Sequence, residues 1–273
     1  MLEGSYIENP KTNDDYDAMV NEAIDYLNIP LDEDLIDVFV KGVEHALQGR
    51  TLRYVRMIGL GSMYGHLDHF DYDDNEIAKT ERKILIEKLD NNYKKKYLKS
   101  SQITAIYQFA LGLLVIEHFN KINNRKFEGI EKIIATFEDM HLNIEYKSKY
   151  LREKYYIFGI KPENKQTNLR EIPQHVNEMK NDEATLILMI QCPPEMTINI
   201  IDTYNSKHML GSLILVESTL SYPVDFLNQY RQYFFSSIKA FPDDNLTKLF
   251  YLPKETKIYY KLLNEDKKEN DSN

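Results

Sequence analysis

The chain has 273 residues, 42% of them hydrophobic and 28% charged, enough apolar content to bury a substantial core and too much for an intrinsically disordered chain. Its 34 basic and 43 acidic residues give a formal net charge of −9, which disfavours broad binding to nucleic acid or to anionic membranes and leaves room only for a local basic groove. A single cysteine, Cys192, excludes an intramolecular disulfide and a multi-cysteine zinc site within one chain.

Residues 1–13 are polar and read as a flexible leader, without the basic start and apolar centre of a signal peptide, so a cytoplasmic location is expected. From Asp14 the pattern becomes helical, with Tyr16, Met19, Val20, Ala23, Ile24 and Leu27 on one face. Asp32, Glu33 and Asp34 then place carboxylates at the positive end of a second helix. Leu35, Val38, Phe39, Val43 and Leu47 are its predicted buried stripe, and Gly49 its stop. A further amphipathic helix is predicted from Glu76 to about Lys99. A central helix capped by Ser100 or Ser101 follows, running through Phe119. Its apolar stretch from Ile103 contains Gln108, Glu117 and His118 and falls short of the roughly 20 residues of a membrane span. Gly129 to about Met140 has Ile130, Ile133, Ile134 and Phe137 at helical spacing, so residues 14–142 read as a helical domain.

The second half, residues 143–263, reads as an α+β domain. Between Glu145 and Ile160 the period fits helix and strand equally. Thr185–Gln191, Thr197–Thr203 and Leu210–Glu217 are predicted strands, punctuated by Pro193-Pro194 and Asn205-Ser206. Pro223 opens a helix that Pro242 ends, and short segments at Leu246–Leu252 and Ile258–Leu263 follow. Residues 264–273 are polar and charged and are expected to be disordered. The expected fold is therefore α+β: a helical N-terminal bundle followed by a small mixed or antiparallel sheet with flanking helices.

Chemistry-bearing residues concentrate between Met57 and Asp74, where Gly59, Gly61, Gly65, His66, His69, Asp68, Asp71, Asp73 and Asp74 crowd together. Gly59-x-Gly61 approaches a dinucleotide-binding fingerprint but lacks its third glycine. Gly61-Ser62 followed by Asp71-Tyr72-Asp73 is similar in outline to the signature of polymerase-β-type nucleotidyltransferases. That resemblance implies a triphosphate held by backbone N–H groups and Ser62, with Mg²⁺ bound by Asp71 and Asp73. The sequence departs from the signature after Asp73, where Asp74-Asn75-Glu76 replaces an apolar strand. As a metal site the same stretch offers His66 and His69, three apart, with Asp71 and Asp73 as oxygen ligands. A nuclease-type set would need a strand-end Asp and Glu-x-Lys on the next strand. Glu145-Tyr146-Lys147 with Asp139 leaves no room for the hairpin, and Asp202 with Glu217 has Thr219 where Lys is required.

Tyr93, Lys94 and Lys95, with Tyr155 and Tyr156, form candidate binding patches in which aromatics interleave with basic residues. Cys192 ends an apolar run without an adjoining base and reads as a buried, inert thiol. With 20 Tyr and 12 Phe but no complete catalytic set, the expectation is a non-enzymatic interaction protein. It would bind another protein and further copies of itself as a homo-oligomer, without a cofactor. Abundant Tyr, Asn, Ile and Lys match AT-rich coding and suggest a bacterial mobile element, phage or defence setting. The alternative is a metal-dependent phosphoryl-transfer enzyme, nucleotidyltransferase-like or nuclease, using Mg²⁺ at the Gly61–Asp73 segment.

Overall fold

A computed structural model describes residues 18, 20–21, 23–25, 35–59, 91–126, 133–138, 157–160, 178–190, 192, 194–218, 236–241 and 256–262. The elements in chain order are α1 (Leu35–Leu47), β1 (Thr51–Ile58), α2 (Asn91–Lys126), β2 (Ile134–Glu138), β3 (Ile157–Ile160), β4 (Glu183–Met189), α3 (Pro194–Ser206), a 3₁₀ turn at Leu210–Ser212, β5 (Leu213–Ser218), β6 (Ser236–Lys239) and β7 (Thr256–Tyr260).

The strands form one seven-stranded sheet in the order β3-β2-β1-β4-β5-β7-β6. β1 to β5 are mutually parallel, and β7 is antiparallel to both β5 and β6. The central strands explain themselves. Leu-Ile-Leu-Met of β4 and Leu-Ile-Leu-Val of β5 are unbroken apolar runs, which a parallel strand covered on both faces requires. One face carries Val55, Met57, Ala135, Leu186, Leu188, Ile214 and Val216 against α1 and α2. The other carries Tyr54, Ile58, Ile187, Met189, Leu213 and Leu215 against Ile200, Ile201 and Tyr204 of α3. Of the predicted α1 stripe, Phe39, Val43 and Leu47 are buried, joined by Val40 and Ala46. The end of α1 is closed by Gly49 at φ +86° and by Arg50, which donates from Nε to the Leu47 carbonyl (2.9 Å) and from Nη2 to that of Ala46 (3.0 Å). Those bonds satisfy carbonyls that the helix cannot, although burial pulls the guanidinium pKa below its ordinary value.

The expected mixture of helices and a mixed sheet is present, but the sheet crosses the boundary expected at residue 142. β1 and β2 precede that point, and β1 pairs with β4 from Thr51 opposite Glu183 to Met57 opposite Leu188. Several local expectations are corrected. Within Gly129–Met140, residues Ile134–Glu138 form a strand rather than a helix, because Ala135 and Thr136 are both buried, on opposite faces of the sheet. Thr197–Thr203 lies within a helix rather than a strand. Its β-branched content suggests a strand, but Pro194 is preset for a first helical turn, and Ile200, Ile201 and Tyr204 make one buried stripe. Ser100 and Ser101 start no helix; α2 passes through them unbroken. Ser236–Lys239, placed in the Pro223 helix, is a strand. Leu210–Glu217 is a strand only from Leu213, and of Glu145–Ile160 the last four residues form β3.

Candidate functional site at the carboxyl edge of the sheet

From β1 the chain crosses by α2 to β2 on one side, whereas from β4 it crosses by α3 to β5 on the other. The connections leaving β1 and β4 therefore diverge, the arrangement that in open parallel sheets leaves a crevice outside the carboxyl ends. In open parallel sheets this reversal point is where ligands bind.

The residues at that edge fit close backbone approach. β1 gives way to Gly59 at φ +61°, a conformation that costs a side chain roughly 1–2 kcal/mol. A Cβ there would lie 2.6 Å from Cys192 Sγ and 3.5 Å from Met196 Cε. Cys192 itself stands in the turn after β4, where its thiol donates to the Ile58 carbonyl at 3.2 Å and lies 3.7 Å from that of Gly59. The thiol is buried and free of disulfide, and it ties the ends of β1 and β4 together. Pro194 then starts α3 from the same edge, directing the N–H groups of its first turn towards the crevice.

Acidic residues end two of the strands. Glu138 is the last residue of β2, in register with Ile58 at the end of β1. Glu217, buried, lies opposite Met189 of β4 and Lys257 of β7. Arg56 is 1% exposed within β1, between Thr136 of β2 and Ile187 of β4. Such a cation deep in a sheet keeps its charge only with polar neighbours.

The helix α2 covers one face of the sheet beside β1. Its direction is fixed by Asn120, whose Oδ1 accepts from the Ile133 N–H at 2.9 Å, just before β2 begins. The later part of α2 thus lies at the amino edge of the sheet. Gly112 rests on β1 and β4 further along, where an added Cβ would meet the Met57 side chain and approach Leu188 Cδ1 to 3.2 Å. Gln108 is four residues before Gly112, one turn or about 6 Å nearer the carboxyl edge on the same helix face. It is 1% exposed, and neither Nε2 nor Oε1 has a hydrogen-bond partner among the described residues.

The residues that the sequence singled out are divided by this geometry. Gly61, Ser62, Gly65, His66, His69, Asp71 and Asp73 lie outside the described residues, as do Glu145, Lys147, Tyr155 and Tyr156. Tyr93, Lys94 and Lys95 belong to the first turns of α2. Asp202 is exposed on α3 and Glu217 is buried on β5, so this pair does not sit on neighbouring strands. Among the described residues there is no group of three or more His, Cys, Asp or Glu able to hold a metal ion. Sequence reasoning missed Glu138, hidden in a run with helical spacing. It noticed Gln108 only as an interruption of an apolar stretch, which was its one available signal.

Among the described residues no helix is long and apolar enough to cross a membrane. Comparison of the chain with known protein families, curated proteins and solved structures found no match.

Proposed function

We propose that the chain binds a nucleoside-bearing small molecule in the crevice at the carboxyl ends of β1 and β4. The observation that carries this reading is the reversal of strand order at that point, where β1 ends in a positive-φ glycine held against Cys192. Gly59 lets an anionic group of the ligand approach the backbone, and the first turn of α3 adds a positive helix end. Glu138, on the strand beside β1, holds the position from which a carboxylate accepts hydrogen bonds from ribose hydroxyls in doubly wound sheets.

The sequence alone favoured a non-enzymatic interaction protein because no catalytic set was complete. Small-molecule binding is preferred here because the reversal of strand order and the positive-φ Gly59 both fall at the carboxyl ends of β1 and β4. Metal-dependent phosphoryl transfer remains as the second reading, because the segment carrying Ser62, Asp71 and Asp73 begins at this same crevice immediately after Gly59.

Titration calorimetry with ADP, NAD⁺ and S-adenosylmethionine, each with and without Mg²⁺, tests both. The expected result is saturable binding of one of them that Gly59→Val abolishes. Binding that requires Mg²⁺ and is lost in Asp71→Ala/Asp73→Ala would favour the second reading. Failure of the whole panel to bind would sink both.

A further inference from the structure

The face of the sheet that carries α3 is covered unevenly. Ile200, Ile201 and Tyr204 of that helix pack with the apolar residues of β4 and β5, where Leu215 is 1% exposed. Further out, on β7 and β6, the cover ends. Ile258 and Tyr260 of β7 belong to the core on the opposite face, so strand alternation puts Lys257 and Tyr259 on the α3 face, where both are half-buried. Leu262 continues the inner row, which brings Lys261 into line with Lys257 and Tyr259. On β6, Ile238 packs with the opposite core while Ser237 and Lys239 are exposed. The register sets Ser237 directly opposite Tyr259, and Lys239 directly opposite Lys257.

Two lysines facing each other across an antiparallel pair repel. Guarding an exposed edge against pairing with another chain accounts for Lys239 on β6, but not for Lys257 on β7, which is an interior strand. Glu217 lies opposite Lys257 on its other side and offsets one charge, leaving this stretch positive in a chain of net charge −9. We propose that the outer part of the sheet, with Lys239, Lys257 and Lys261 around Tyr259, binds single-stranded nucleic acid. Residues two apart on a strand are spaced by about 7 Å and neighbouring strands by about 5 Å, so the three lysines surround one aromatic side chain. Cations that track a backbone and an aromatic ring on which a base stacks are the two parts of a single-strand site. An acidic peptide or an anionic lipid surface would need the lysines alone. A duplex offers phosphates but keeps its bases stacked inside, away from Tyr259. The surface lies two strands from β4 and does not depend on the small-molecule reading above.

The test is fluorescence anisotropy of a labelled oligothymidylate, titrated with the full chain over a series of salt concentrations. Three phosphate contacts predict that log Kobs falls against log[salt] with a slope of about −2, from about −0.7 per phosphate on a single strand. The surface variant Lys239→Gln/Lys257→Gln should bring that slope to about −0.7 and weaken binding about tenfold or more at low salt. Tyr259→Leu should weaken binding about five- to a hundredfold, the loss of one stacked base, while Tyr259→Phe keeps the affinity. No binding at low salt overturns the proposal, as does binding that survives the loss of both lysines. Equal binding of a duplex of the same length overturns it too, because Tyr259 would then contribute nothing. So does tighter binding to phosphatidylserine vesicles than to the oligonucleotide, which would make the patch a lipid surface.

Discussion

Gly59 is a residue at which backbone conformation and side-chain packing impose the same choice. Its φ of +61° disfavours any L side chain, and the space a Cβ would occupy is held by Cys192 Sγ at 2.6 Å. Gly59→Ala should therefore cost about 2–3 kcal/mol, strain and overpacking together. Chemical denaturation of the single variant measures that cost. Cys192→Ala combined with it should recover part of the loss, because the clash is with the thiol, while the strain of positive φ remains. Full additivity of the two substitutions would show that they do not share this contact. Cys192 also explains why sequence reading could only label it inert. Its partner carbonyl, on Ile58, is 134 positions away in the chain.

At the scale of elements, α2 is the piece whose placement decides most. It spans 36 residues, and Gly112 is where its backbone comes nearest the sheet, over Met57 of β1 and Leu188 of β4. Glycine in mid-helix costs roughly 1 kcal/mol relative to alanine, so its presence marks the need for that approach. Gly112→Leu should lift the helix off the sheet and destabilise the fold by about 1–3 kcal/mol despite its better helix propensity. Chemical denaturation of this variant beside the wild type measures the loss, and an unchanged midpoint would show that the close approach at Gly112 does not hold the helix in place. The elements also show how much of the fold was legible. α1, β4 and β5 were readable because a stripe at helical spacing or an uninterrupted aliphatic run admits few alternatives. β2 and α3 were misread in opposite directions. Ile133, Ile134 and Phe137 carry helical spacing inside a strand, and the β-branched run from Thr197 lies in a helix. In both, the register of neighbours outweighed local preference.

For the whole molecule, the pairing of β1 with β4 joins the two halves of the chain in one sheet. The core that covers one face of that sheet draws on both halves, from Phe39 and Phe109 to Ile214 and Phe241, with Phe39 and Phe241 stacked at 5.3 Å. Thermal unfolding of the full chain should accordingly be a single cooperative transition, and a fragment of residues 1–142 should show none, since it would expose the β4-facing edge of a central strand. Two resolved transitions, or an independently folded fragment, would contradict this account. The candidate site belongs to this scale as well. Gly59 and Cys192 come together because β1 and β4 are adjacent, where the strand order reverses. No spacing along the chain signals that reversal.

By itself the sequence determined that the chain carries apolar runs able to form a buried core, that residues 35–47 form a helix, that residues near 185–189 and 213–217 form buried strands, and that glycines and carboxylates gather after residue 58. These follow from hydrophobic periodicity and turn chemistry, which act between near neighbours. Tertiary structure alone decided that β1 and β2 join the later strands and which strand ends meet. The physical reason is that an apolar run specifies burial but not its partner. Strand order and helix level are set by non-local pairing and packing, whose energies depend on the whole sheet.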